Sequence, residues 1–233
     1  MLLRPGLVLQ HGPAGTLGRL GEWLRQRSIP YEVVKVWESV YLPDPEDHRF
    51  VVSLGSRNSV TDLDARWVSA ELRFLRQAVE AEVPVLGLCF GGQALATVLG
   101  GGVQRMARPE VGWAKIRSEA EWLAPGPWLQ YHKEVLVLPD GASRLAHDDA
   151  GPAAFAAGPH IGVQFHPEVT PEMLDAWARM DTELPTGVTP EELATQSRQH
   201  SARAREAAFD LFDAWWARGR AQDHVRARRD ECS

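Results

Sequence analysis

The segment from Val83 to Gly101 limits the fold more than any other part of the chain. An apolar run, Val-Pro-Val-Leu-Gly-Leu, leads straight into Cys89, and Phe-Gly-Gly-Gln-Ala-Leu-Ala-Thr-Val-Leu follows at helical spacing with no spacer. A strand that becomes a helix across one residue needs a strained backbone and small neighbours, and Gly87, Gly91 and Gly92 provide them. The same alternation runs through the first hundred residues. Leu7–Gln10, Tyr31–Trp37, Phe50–Leu54 and Val83–Leu88 read as strands. Between them, Leu17, Leu20 and Leu24 with Trp23, and then the Asp62–Glu80 stretch with Trp67, Leu72, Leu75 and Val79, have the spacing of amphipathic helices. Strand and helix in turn predict an α/β fold: a three-layer α/β/α arrangement around a mostly parallel sheet. Ligands of such sheets lie beyond the carboxyl ends of the strands, where His11, Gly55 and Cys89 fall.

After residue 100 the pattern changes. Trp113–Arg117, Glu134–Leu138, Arg144–His147 and Ala153–Ala157 read as short, partly antiparallel strands, and Ile161–Phe165 as a buried strand leading to His166. Thr170-Pro171-Glu172 opens a helix through Met180, with Thr as N-cap and Pro in the first helical position. Thr189 and Glu192 have capping-box spacing and begin a long helix to about Gly219, with Leu193, Ala204, Ala208, Leu211, Phe212 and Trp215 as its apolar stripe. The expected division is one domain over 1–185 and a helical extension, 186–233, packed on it.

With a formal charge of −6, the chain lacks the electrostatic footprint of a nucleic-acid or anionic-membrane binder. The basic stretch near the C-terminus is interspersed with acids and reads as a solvated helix end. No apolar run is long enough for a transmembrane helix, which needs about 18 residues. The N-terminus reads as a first buried strand, not a secretory signal. Cys89 and Cys232 are the two cysteines, which makes no disulfide framework, so a reducing cytoplasm is the expected location. The glycine-rich His11–Gly18 fits neither the dinucleotide nor the P-loop spacing and reads as a tight connection. His132, His147 and His160 have no metal-ligand spacing, so neither metal nor cofactor is expected.

The chemistry concentrates at two places. Cys89 lies at a helix N-terminus, where unpaired N–H groups and the helix dipole favour the reactive thiolate, and the N–H of Phe90 can donate to an oxyanion. In Gly162-Val163-Gln164-Phe165-His166-Pro167-Glu168, a histidine follows a buried strand with a carboxylate two residues on. An extended backbone, which Pro167 favours, puts both side chains on one side. Glu168 then holds one imidazole nitrogen while the other faces the sulfur, the order of nucleophile, base and orienting group required for acyl transfer.

On these two segments the chain resembles the class I (triad-type) glutamine amidotransferases, especially the glutaminase part of GMP synthase. The likeness spans roughly residues 5–180, with weaker support from Leu54-Gly55 and Glu110-Val111-Gly112-Trp113. It implies a flavodoxin-like fold and Cys89, His166 and Glu168 as catalytic triad. It also implies an oxyanion hole from Phe90 with the Gly55-Ser56 turn, and a γ-glutamyl thioester. Substrate contacts are implied for Gln93 and for Tyr131-His132-Lys133. Ser56 stands where the family has a second glycine, and His-Lys-Glu follows Tyr131 where relatives commonly have His-Gly-Asp. Both departures fall at the substrate end. Arg57 and Lys133 either contact a carboxylate or a larger conjugate, or are solvated surface charges.

The resulting expectation is a cysteine hydrolase acting on glutamine or a γ-glutamyl amide, a small-molecule substrate. Since no acceptor domain is recognised in the chain, ammonia made by a true amidotransferase would go to a separate synthetase subunit. A second copy of the chain is the other partner considered. An intracellular cysteine peptidase and a non-catalytic binding protein are the alternatives, opposed by Gln93 and by the intact triad.

Overall fold

The computed structural model describes residues 4–38, 41–181 and 184–230, with side chains as far as 221. Met1–Leu3, Cys232 and the side chains at the end of the basic tail lie outside the described residues. Strands β1 (Gly6–Gln10), β2 (Tyr31–Lys35), β3 (Val51–Ser53), β4 (Val85–Leu88) and β10 (His160–Val163) pair in parallel in the order β2-β1-β3-β4-β10. The sheet continues antiparallel through β9 (Pro152–Ala157), β8 (Ser143–His147) and the two-residue β6 (Arg117–Ser118). Four of its seven pairings among the described residues are therefore parallel, and all four lie on the side that carries the motifs.

Alternating side chains divide the core as a pleat requires. Val8, Val52, Leu86 and Ile161 face helix α1 (Gly18–Gln26) and the long α5 (Pro190–Asp230). Leu7, Leu9, Val51 and Val85 face α2 (Arg66–Glu80) and α3 (Phe90–Val98). The last helix thus supplies half of one outer layer. Phe212 and Trp215 are buried against Trp23 and Phe50, and Trp216 packs edge-on to Phe50 with the Arg49 guanidinium 4.6 Å from its ring centre. The tandem tryptophans therefore belong to the fold's own packing. Helix α4 (Pro171–Met180) begins as expected, with Thr170 Oγ1 accepting from the Met173 N–H.

Two strands differ from expectation. β5 runs from Gly102 to Ala114 and β7 from Trp128 to Val137. They pair with each other as a separate antiparallel ribbon, with a register shift between Arg105 and Glu110. The expected Trp113–Arg117 strand is instead the end of β5, a break, and the start of β6.

Candidate active site

Cys89 stands between β4 and α3 at φ 51° and ψ −105°, a conformation that L residues rarely adopt. Two backbone bonds hold it there. The Cys89 N–H donates to the Val163 carbonyl on β10 at 2.9 Å, and the Gly91 N–H to the Leu54 carbonyl beyond β3 at 3.1 Å. A side chain at Gly91 would collide with the Ser53 carbonyl, so glycine is what lets α3 begin against the sheet. The sulfur is nearly buried and lies beside the N-terminus of α3, whose first N–H, that of Phe90, has no intrahelical carbonyl to serve.

β10 delivers His166 next to β4, and the His166 N–H is fixed to the Leu129 carbonyl of β7 at 2.9 Å. Its Nδ1 is 2.7 Å from Glu168 Oε1, and a Cβ placed at Gly55 would stand within 4 Å of both this ring and the Cys89 Cβ, so Nε2 is the nitrogen left for the sulfur. Glu168 reaches the ring from a turn at Pro167–Glu168, whereas extended chain was expected. Burial opposes the imidazolium, but the charges of Glu168 and Cys89 and the hydrogen bond to Glu168 outweigh it. The His166 pKa is raised well above 6.5. The thiolate is the form in which a cysteine attacks carbon.

The Gly55-Ser56 turn closes over these groups. A Cβ at Gly55 would stand only 2.7 Å from His166 Cε1, so the close approach depends on glycine. Ser56 is not among the residues of positive φ, and serine replaces the family's glycine without backbone strain. The turn is anchored from behind by a buried network that sequence reasoning did not assemble. His11 Nδ1 is 3.2 Å from the Gly55 carbonyl, its Nε2 is 2.7 Å from Glu71 Oε2, and Ser53 Oγ donates to Glu71 Oε1 at 2.6 Å. The His11 ring lies about 5 Å from those of Trp67 and Phe90, centre to centre. The signal was present: Glu71 falls on the buried α2 stripe between Val68 and Leu75, where a lone carboxylate has to find partners.

Gln93 is buried, with its amide donating to the Gln164 Oε1 at 3.2 Å and to the Glu134 carbonyl at 3.3 Å. Gln164 Nε2 in turn lies 3.8 Å from the Cys89 sulfur, a contact also absent from the sequence reading. On β7 the side chains alternate. Tyr131 donates its hydroxyl to Asp181 at 2.8 Å, His132 points inward, and Lys133 outward. Burial, then the nearby positive His166, lowers the His132 pKa to about 4, so it is a neutral ring beside Glu110. Glu110 is itself raised to about 7 by burial and by Asp148 and Asp149. Arg57 lies 3.5 Å from Asp181 and is largely exposed.

Two clefts meet here. Cys89, Gln93, His132 and Lys133 line one of about 160 Å³. His166, His11, Trp177 and Met180 line the other, of about 270 Å³, and Ser56, Arg57, Asn58, Tyr131 and Asp181 border both. Among the described residues, no three metal-ligating side chains converge and no helix is long and apolar enough to cross a membrane.

The profile of the family described as glutamine amidotransferase class-I matches residues 24–177. The GMP synthase (glutamine-hydrolyzing) of Methylobacillus flagellatus is 37% identical over 109 residues, which cover 39% of this chain and 21% of that protein. That of Azoarcus is 31% identical over 159 residues, 60% of this chain and 28% of that one. The chain therefore spans less than a third of the length of these curated relatives. Among solved structures, a glutamine amido transferase from Methylobacillus flagellatus superposes with a TM-score of 0.85 at 26% identity, covering 94% of this chain and 96% of that one. A glutamine amidotransferase from Thermotoga maritima gives 0.82 at 21% identity, covering 92% and 99%, a likeness of fold.

Proposed function

The chain belongs to the class I glutamine amidotransferase family, and from that premise we propose that it hydrolyses the γ-amide of glutamine or of a γ-glutamyl conjugate through a thioester on Cys89. The observation that carries this reading is the His166 ring, held by Glu168 and lying beside Cys89 at the strained turn. In the first half-reaction the thiolate attacks the δ-carbonyl carbon, and the N–H groups of Phe90 and Ser56 receive the oxyanion. His166 then gives its Nε2 proton to the departing nitrogen, the C–N bond breaks, and a γ-glutamyl thioester remains. Water adds next, giving a proton to the same nitrogen. The C–S bond breaks and glutamate leaves. Glu168 orients the ring and stabilises its protonated form throughout. The His11–Glu71 pair steadies the oxyanion turn from behind by holding the Gly55 carbonyl.

A diazo-ketone analogue of glutamine tests this reading directly. The expected result is a single covalent adduct on Cys89, found by peptide mass spectrometry and lost in Cys89→Ser. Absence of the adduct, or its appearance on another residue, sinks the proposal. The names of the curated relatives favour a second reading, in which a synthetase subunit in the same cytoplasm receives the released ammonia. That reading expects glutamine turnover to rise when the partner is present.

A further inference from the structure

The two clefts say more about the substrate than the hydrolytic reading does. An amide has two halves joined at the bond to be broken. Its carbonyl carbon has to reach the Cys89 sulfur and its nitrogen the His166 ring. Cys89 opens into one cleft and His166 into the other, so the acyl half and the amine half are sorted between them. The Cys89 side offers the exposed Lys133 to an amino acid's carboxylate. The His166 side is different in kind.

Ammonia is close to water in size, and a cavity of roughly 10–15 Å³ of accessible volume holds a water. The His166 cleft offers about 270 Å³, where a closed apolar cavity of about 150 Å³ already takes up benzene. Its wall is largely carbon, from Pro13, Ala14, Trp177 and Met180. The Trp177 indole N–H is spent on the Ala14 carbonyl at 2.8 Å, so the ring presents its hydrocarbon surface, 5.0 Å centre to centre from His166. The polar groups at the border already have partners. Arg57 and Tyr131 both bind Asp181, and His11 binds Glu71. None of them calls for a charge on the ligand.

We infer that the preferred substrate is a γ-glutamyl amide of an apolar amine of ring size, whose hydrocarbon body fills the cleft lined by His166, Trp177 and Met180. The inference rests on the hydrolytic reading and adds to it the leaving group. The chemistry balances without a further reactant: sulfur bonds to the acyl carbon, the C–N bond breaks, and the nitrogen leaves as neutral amine after taking one proton from His166.

The test compares γ-glutamyl-benzylamide with glutamine. The expected kcat/KM is at least about tenfold higher for the benzylamide, since one hydrocarbon group placed in an apolar pocket is worth roughly 10–200-fold in discrimination. Met180→Asp, which sets a charge in the wall at a half-exposed position, should bring that ratio down toward one through a higher KM for the benzylamide. A wild-type ratio at or below one overturns the inference, as does a high ratio that Met180→Asp leaves unchanged. The diazo-ketone adduct separates the two levels of failure. With Cys89 labelled and no benzylamide preference, hydrolysis stands and the cleft serves ammonia's exit; with Cys89 unlabelled, both readings fall.

Discussion

Cys89 concentrates the conflict between stability and chemistry in one backbone position. At φ 51° and ψ −105° its Cβ is strained, and such conformations cost of order 1–3 kcal/mol. The strain persists because the bonds to Val163 and Leu54 on either side hold the turn closed. The usual order of substitutions should therefore reverse at this site. Alanine keeps the Cβ and its strain, while glycine relieves it at a cost of about 0.5–1 kcal/mol in chain entropy. Cys89→Gly is expected to be more stable than Cys89→Ala by about 1–2 kcal/mol, with both inactive. Urea unfolding of the two variants checks this, and equal midpoints would mean the turn is relaxed.

Helix ends show where sequence and structure part. α3 ends as glycine patterns predict, with Gly100 at φ 98° and the Gly101 N–H returning to the Ala96 carbonyl at 2.9 Å. α1 and α2 close with the same pair of bonds but without glycine. Ser28 (φ 50°) donates to Arg25 and Ile29 to Leu24, and Glu82 (φ 52°) donates to Val79 and Val83 to Ala78. Tertiary packing overrides local preference at these ends, where no glycine marks the stop, although α2 ends at Glu80 as its apolar spacing predicts. Ser28→Gly should remove the left-handed penalty and stabilise the fold by roughly 1 kcal/mol, a rise of about 2–4 °C in a chain of this size. Thermal unfolding followed by circular dichroism reports it, and a lower Tm would refute it. The β5–β7 ribbon was hidden for another reason. The residues of β5 are part-exposed along most of its length, so no two-residue alternation marks that strand, and the register shift near Arg105 breaks what periodicity there is. By contrast, the strand ends bearing Gly55, Cys89 and His166 were legible because buried strands and close-packed glycines leave a dense signal. The partners of Glu71 were not, because only the assembled sheet brings His11 and Ser53 to it.

Across the whole molecule, pH acts through groups of opposite sign. His160 sits on β10, the strand that runs to His166, and its Nδ1 accepts the Val85 N–H at 3.2 Å at the start of the strand that runs to Cys89. That bond requires a neutral ring. Burial, partly opposed by Glu82 and aided by Arg218, lowers the His160 pKa from 6.5 to about 4. Between those values the unfolded chain binds the proton that the fold refuses, so stability rises with pH through this window and is lost as pH falls from 6.5 toward 4. The interval corresponds to about 3 kcal/mol. His132, lowered in the same way, adds to the effect. His166, raised, contributes in the opposite sense, its share being kept below 6.5 and lost as pH climbs through its folded value. Glu110, raised to about 7, likewise favours the fold as pH falls from 7 toward 4.5. The total curve mixes these contributions, and a difference between two proteins isolates one of them. His160→Asn can keep an acceptor for Val85 in a group that does not titrate. The stability advantage of the wild type over His160→Asn should therefore shrink by about 3 kcal/mol between pH 7.5 and pH 4, measured by urea unfolding at several pH values. Parallel curves for the two proteins would show that His160 is protonated equally in the folded and unfolded chains. The link between the two motif-bearing strands would then have no part in the acid response.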